Sequence, residues 1–137
     1  MNYQLKDCIT PKELLEVKAL LEKQNLRFEE KVTQTIGYYD NDQLIATGSL
    51  YHNVIKMIAV DTKYQNENIT ALIMTTLTQR LQDLGIHKYF LYTTPQNRSI
   101  FEHFSFSLID ETEQISLLEN TIYPIKEHLR DIKSKLH

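Results

Sequence analysis

The sequence predicts a mixed α/β fold with helices over one central sheet, and three observations carry that reading. Apolar runs of strand length alternate with amphipathic stretches of helix length. One run, Val54–Val60 (VIKMIAV), is apolar at nearly every position, which places it centrally in a sheet covered on both faces. That strand feeds a helix starting near Ile69 through a polar turn at 61–68. A turn of this kind aims free backbone N–H groups at one point and favours a pyrophosphate or another anion. Such turns usually carry glycines, and this one has none.

The elements follow in order. Thr10-Pro11-Lys12-Glu13 reads as a capping box with proline at the first helical position. Leu14, Val17, Leu20 and Leu21 give that helix an apolar stripe. Strands at 35–39 and 44–51 flank a turn at 40–43, and a short turn at His52-Asn53 leads into Val54–Val60, making three antiparallel strands. The helix after the polar turn places Ile69, Leu72, Ile73, Leu77, Leu81 and Leu84 on one side, and Gly85 stops it. A strand at 86–93 follows and ends at Pro95. A short helix at 97–104 turns Ile100, Phe101 and Phe104 inward, and strands at 106–109 and 114–118 complete the sheet. The tail at 122–136 reads as a helix with Ile125, Leu129 and Ile132 on one stripe. It packs on its own domain, docks another, or self-associates.

Composition narrows the classes. A chain of 137 residues, 42% apolar and 24% charged, suits one globular domain. A net charge of −3 speaks against non-specific nucleic-acid binding, and no apolar run approaches the ~20 residues that cross a bilayer. The N-terminal segment is too polar for a signal peptide, and the single cysteine, Cys8, fits a reducing cytoplasm and an inert thiol. The 5 histidines show no metal-ligand spacing, so no metal site is expected.

Two motifs carry a family resemblance. Gln65-Asn66-Glu67-Asn68-Ile69-Thr70 resembles the Gln/Arg-x-x-Gly-x-Gly/Ala loop of the GNAT (GCN5-related) acyltransferases, and 97–106 (NRSIFEHFSF) resembles that family's second motif. The runs TIGYYDNDQLIATGSL, NVIKMIAVDTKYQ, FLYTTPQN, SIFEHFSF and ISLLEN are similar to the N-terminal, GNAT-like domain of the citrate lyase ligases. The resemblance implies a GNAT fold: a central, mostly antiparallel sheet with helices on both faces. It also implies a domain at 1–121 and a C-terminal helix at 122–137 that would lead to a nucleotidyltransferase-like domain. The ligase's complete ATP-dependent reaction is then not expected of this chain alone.

The same resemblance implies acetyl-CoA, CoA or a CoA-like phosphopantetheine as ligand, and the acyl-carrier subunit of citrate lyase as a partner. The pyrophosphate would lie on the amides of Asn66, Glu67, Asn68, Ile69 and Thr70, next to Gln65. The pantetheine would run along Ile58, Ala59 and Val60, with Asn97 and Phe101 beside it. Asn68 and Thr70 stand where the family has small residues, so weak or altered binding is expected. From the residues alone, the loop equally reads as a plain turn capped by Asn68, and Asn97 as a helix cap. Many family members place a tyrosine where this chain has Phe101, which cannot donate a proton. Tyr92 is then the candidate acid, His103 reads as a surface residue or a base, and Phe101 reads as core. Three functions remain open: an acyltransferase, a recognition module without chemistry, and an amine acetyltransferase with an acidic acceptor pocket.

Overall fold

The computed structural model describes residues 2–65 and 68–121. The tail helix expected at 122–136, and Asn66 and Glu67 of the polar turn, lie outside the described residues.

The described chain forms one seven-stranded sheet with helices on both faces. Its strands are β1 (Tyr3–Asp7), β2 (Gln34–Asp40), β3 (Gln43–Tyr51), β4 (Val54–Val60), β5 (Phe90–Thr93), β6 (Phe106–Glu111) and β7 (Ser116–Asn120). The spatial order is β1-β2-β3-β4-β5-β7-β6, antiparallel throughout except for β4 beside β5. Helix α1 (Pro11–Lys23) lies on one face and α2 (Ile69–Asp83) on the other, and α3 (Arg98–Glu102) follows β5.

The central strand serves both faces, as its apolar run requires. Ile55 and Val60 join Ile73, Leu77 and Leu81 of α2 in one core. Met57 and Ala59 join Val17, Leu20 and Leu21 of α1 in the other. Gly48 lets α2 sit close on the sheet: a Cβ there would meet Ile73 Cγ2 at 2.7 Å and Leu77 Cδ1 at 2.9 Å. The Thr10 capping box is fully formed, with the Glu13 amide donating to Thr10 Oγ1 at 3.2 Å and the Thr10 amide donating to Glu13 Oε1 at 2.9 Å. Gly85 takes a left-handed φ of +79 and ends the α2 segment.

Several expectations are corrected. β1 precedes α1 and was not foreseen; Tyr3 and Leu5 pack on the core while Gln4, Lys6 and Asp7 face water. The strand expected at 86–93 begins only at Phe90. Side-chain amides replace a ladder before it: Asn120 Oδ1 accepts from the Tyr89 amide at 3.0 Å, Asn120 Nδ2 donates to His87 O at 2.8 Å, and Asn53 Nδ2 donates to Lys88 O at 3.2 Å. On α2, Met74 is buried whereas Leu72 and Leu84 are exposed, because the line through Ile69, Ile73 and Leu77 sets the inner face. In the short α3 only Phe101 is fully buried, and Ile100 points to the rim of a cavity. The last two strands run to Glu111 and Asn120.

Candidate functional site

The site is opened by a parting of two strands. β4 and β5 pair only at Val54↔Phe90 and Ile55↔Leu91. Past that point β5 stays with β7, while β4 continues to Val60 alongside β3. The β5-facing edge of β4 from Lys56 to Val60 therefore offers backbone donors and acceptors to a cleft.

A bulge shapes the same stretch. Thr47 pairs with Ala59 and Ser49 with Lys56, so Gly48 alone opposes both Met57 and Ile58. Met57 holds a left-handed φ of 56, uncommon for a residue with a side chain. As a result Lys56 and Met57 both turn toward the α1 face, while Ile58 lies over the α2 face. The loop after α1 is fixed on this bulge by the Glu29 amide, which donates to Met57 Sδ at 3.1 Å.

Two cavities flank the parting and share Leu26 and Ile58 as a common wall. The first, of about 400 Å³, extends from Ile58, Ala59 and Val60 to the start of α2. It brings together Gln65, Asn68, Thr70, Asn97 and Phe101 from the sequence-derived set. Gln65 Nε2 donates to Val60 O at 3.2 Å and ties the turn to the strand end. Asn68 adopts the left-handed conformation (φ 58, ψ 26), the geometry a glycine takes without strain, and its side chain makes no capping bond. Its carbonyl accepts the first helical bond from the Leu72 amide at 3.3 Å. Asn97 likewise makes no side-chain cap to α3, and it lines the cavity. The Ile69 side chain does not line this cavity and is buried in the core with Ile73 and Met74, which leaves the expectation for its backbone amide untouched. None of this cavity's described lining residues is charged.

The second cavity, about 580 Å³, lies on the other side of Ile58. Tyr92, 44% exposed at the end of β5, lines it together with Thr94, Met57 and Ile115. Arg27, Glu29 and Lys56 add charge. Sequence reasoning missed these three; the one available sign was a lone lysine inside an apolar strand. With two cations and one carboxylate among its described lining residues, this cavity is not the acidic acceptor pocket expected for the amine acetyltransferase reading.

Other candidates fall away from the cleft. His103 is exposed, with Nδ1 2.7 Å from Ser99 O. Cys8 is buried 3.5 Å from the Tyr39 hydroxyl, and burial pushes its thiol pKa up, so it packs and does not attack. Burial raises the Tyr39 phenol as well.

A central strand parting from a parallel neighbour, with a strand-to-helix turn beside one cavity and a second cavity across Ile58, is the arrangement that the motif resemblance leads one to expect of an acyltransferase fold. Residues 5–117 match the family model of the GNAT acetyltransferase domain, and the chain belongs to that family. Among individual proteins, it is similar to the [citrate (pro-3S)-lyase] ligase of Haemophilus influenzae, with 29% identity over 112 residues, covering 80% of this chain and 33% of that enzyme. The chain thus spans about a third of the length of the curated relatives it matches. Two solved structures share the fold. An acyl-CoA N-acyltransferase from Pseudomonas aeruginosa gives a TM-score of 0.70 at 14% identity, covering 88% of this chain and 99% of that one. The PaiA N-acetyltransferase from Thermoplasma acidophilum, in complex with coenzyme A, gives 0.68 at 12% identity, covering 89% and 100%.

Proposed function

We propose that the chain binds acetyl-CoA, or a CoA-like phosphopantetheine, in the cavity at the start of α2 and transfers the acyl group to a thiol or amine in the cavity lined by Arg27, Glu29 and Lys56. The parting of β4 from β5 carries this reading, because it frees one edge of β4 and turns its backbone groups toward the cleft. A pantetheine arm pairs there as an added strand does, through its amides. The Ile58 wall sets the acyl carbonyl at the junction of the two cavities, where a backbone N–H of the bulge polarises it. The nucleophile attacks that carbonyl directly in a ternary complex. Tyr92, at the mouth of the second cavity, returns a proton to the departing thiolate. Asn97 offers both donor and acceptor to an amide-rich arm.

In the same reading, residues 1–121 are the acyltransferase unit and 122–137 a linker. Similarity to the citrate lyase ligases supports the thiol-bearing acyl carrier of citrate lyase as the finer candidate partner, its arm entering the same slot as CoA. The decisive experiment is calorimetry of the full chain with CoA, acetyl-CoA and dephospho-CoA. Binding of at least one supports the reading, and no heat from any at millimolar ligand removes it.

A second reading is favoured by one observation: buried Phe101 cannot supply a proton where many relatives have a tyrosine. In that reading the domain recognises the arm and performs no transfer. Release of free thiol from acetyl-CoA in the presence of acceptors decides between the two.

A further inference from the structure

We propose that the cavity holding Tyr92 takes a small acceptor bearing an anionic group, a carboxylate or a phosphate, held by Lys56. This rests on the acyltransferase reading for the word acceptor, and on the cavity itself for the chemistry.

Lys56 is 8% exposed, in the middle of the central strand. Burying an ammonium there is unfavourable unless its charge and its three donors are well satisfied. They are satisfied only in part. The carboxylate facing it, Glu29 Oε2, lies at 3.4 Å, longer than a good charge-assisted bond, on a side chain 50% exposed. The Tyr51 ring lies 5.1 Å from Nζ and stabilises charge without accepting an N–H in line. The hydroxyl on the paired β3 residue, Ser49, hydrogen-bonds Thr35 Oγ1 at 2.9 Å. A purely structural lysine would have a tighter partner set. This one lines a cavity of about 580 Å³ with donor capacity left over.

Register places it to matter. In the parallel β4–β5 pair, Ile55 meets Leu91, so Lys56 and Tyr92 are the next residues on each strand, side by side where the strands part. Both line the cavity. An anion on Lys56 would therefore fix an acceptor whose nucleophile points at the junction beside Tyr92. Arg27 at the rim adds a second positive charge against the single Glu29 carboxylate. A cationic acceptor would meet repulsion from both.

The test uses the full chain and two pairs of probes that differ only in the anionic group: N-acetylphenylalanine against its amide, and phosphoethanolamine against ethanolamine. Nitrogen–proton NMR titration follows the amides of Met57 and Tyr92. The expected result is at least about tenfold tighter binding of the charged member of one pair. The pair that shows it identifies carboxylate or phosphate as the source. Lys56→Met should remove the preference, and Glu29→Gln should strengthen it by freeing the ammonium. Equal affinity within both pairs, absence of binding by all four, or a preference that survives Lys56→Met overturns the proposal. CoA calorimetry on the same sample separates the two claims. Lost CoA binding with a retained charge preference removes the acyltransferase reading and leaves the anion site standing.

Discussion

The two cavities on either side of Ile58 are built by different means. The side proposed for the cofactor is walled by open backbone of β4, by side-chain amides and by apolar groups, with no charge among its described residues. The side proposed for the acceptor carries Arg27, Glu29 and Lys56. The first can hold a ligand through main-chain pairing that tolerates many sequences. The second discriminates through side chains, and a single substitution can change what enters. If the proposed roles hold, one scaffold can in this way keep its donor while changing its acceptor.

The sharpest way to break that comparison is Tyr92→Phe. With an amine acceptor, turnover should fall ~100-fold while the KM for acetyl-CoA holds. With a thiol acceptor the fall should be small, because one thiolate displaces another of similar basicity. Steady-state kinetics with both acceptor classes reads the contrast, and an unchanged rate with amines excludes Tyr92 as the acid. Next in size, Gly48→Ala should destabilise the fold by about 1–3 kcal/mol, since the new Cβ meets the branched Ile73 at 2.7 Å. Urea denaturation measures this, and the loss should disturb the cavity at the start of α2 first, because Thr70 and Ala71 of that helix line it.

Asn97→Ala should weaken CoA by about 5-fold and leave the acceptor probes unaffected. A shift in both affinities would mean the cavities are not independent. Asn68→Gly should tighten CoA by a few-fold, because glycine adopts the left-handed geometry without strain and frees space at the turn.

The smallest effect concerns pH at α1, whose C-terminal loop walls the cavity holding Tyr92. The Thr10 backbone amide, then that of Ile9, then Lys6 hold the Glu13 carboxyl at about 2, below its ordinary 4.5. A depressed carboxylate contributes stability that is fully present above pH 4.5 and lost as pH falls through about 2. Glu13→Gln should flatten the acid limb of stability across that window, as read by denaturation at a series of pH values.

Much of this organisation was legible in the residues. The capping box at Thr10, the central strand, the strand-to-helix connection into α2 and the Gly85 stop are local devices whose chemistry sits within a few adjacent positions. Edge strand β1 was not legible, because five half-polar residues become a strand only through pairing with β2 and the stacking of Tyr3 on Tyr38 at 5.4 Å. The late start of β5 depends on Asn53 and Asn120, distant amides that hold the backbone at 87–89. The residues read from the turn and the second motif that line the first cavity come from two continuous runs of sequence. Of the second cavity's residues the sequence offered Tyr92 as a candidate, and for its charged members the one sign was Lys56, a charge out of place in an apolar run.

The brief contact between β4 and β5 is also a fault line. Two residue pairs, with the Phe90 amide on Asn53 O at 2.9 Å beside them, join β5-β7-β6 to the rest of the sheet. Amides of β6 and β7 should exchange with solvent as a cooperative group, at a lower opening free energy than those of β2 and β3. A molecule lying in the slot spans that line and acts as a rivet. Slower exchange in β7 on adding CoA, at positions that never touch it, is the expected trace.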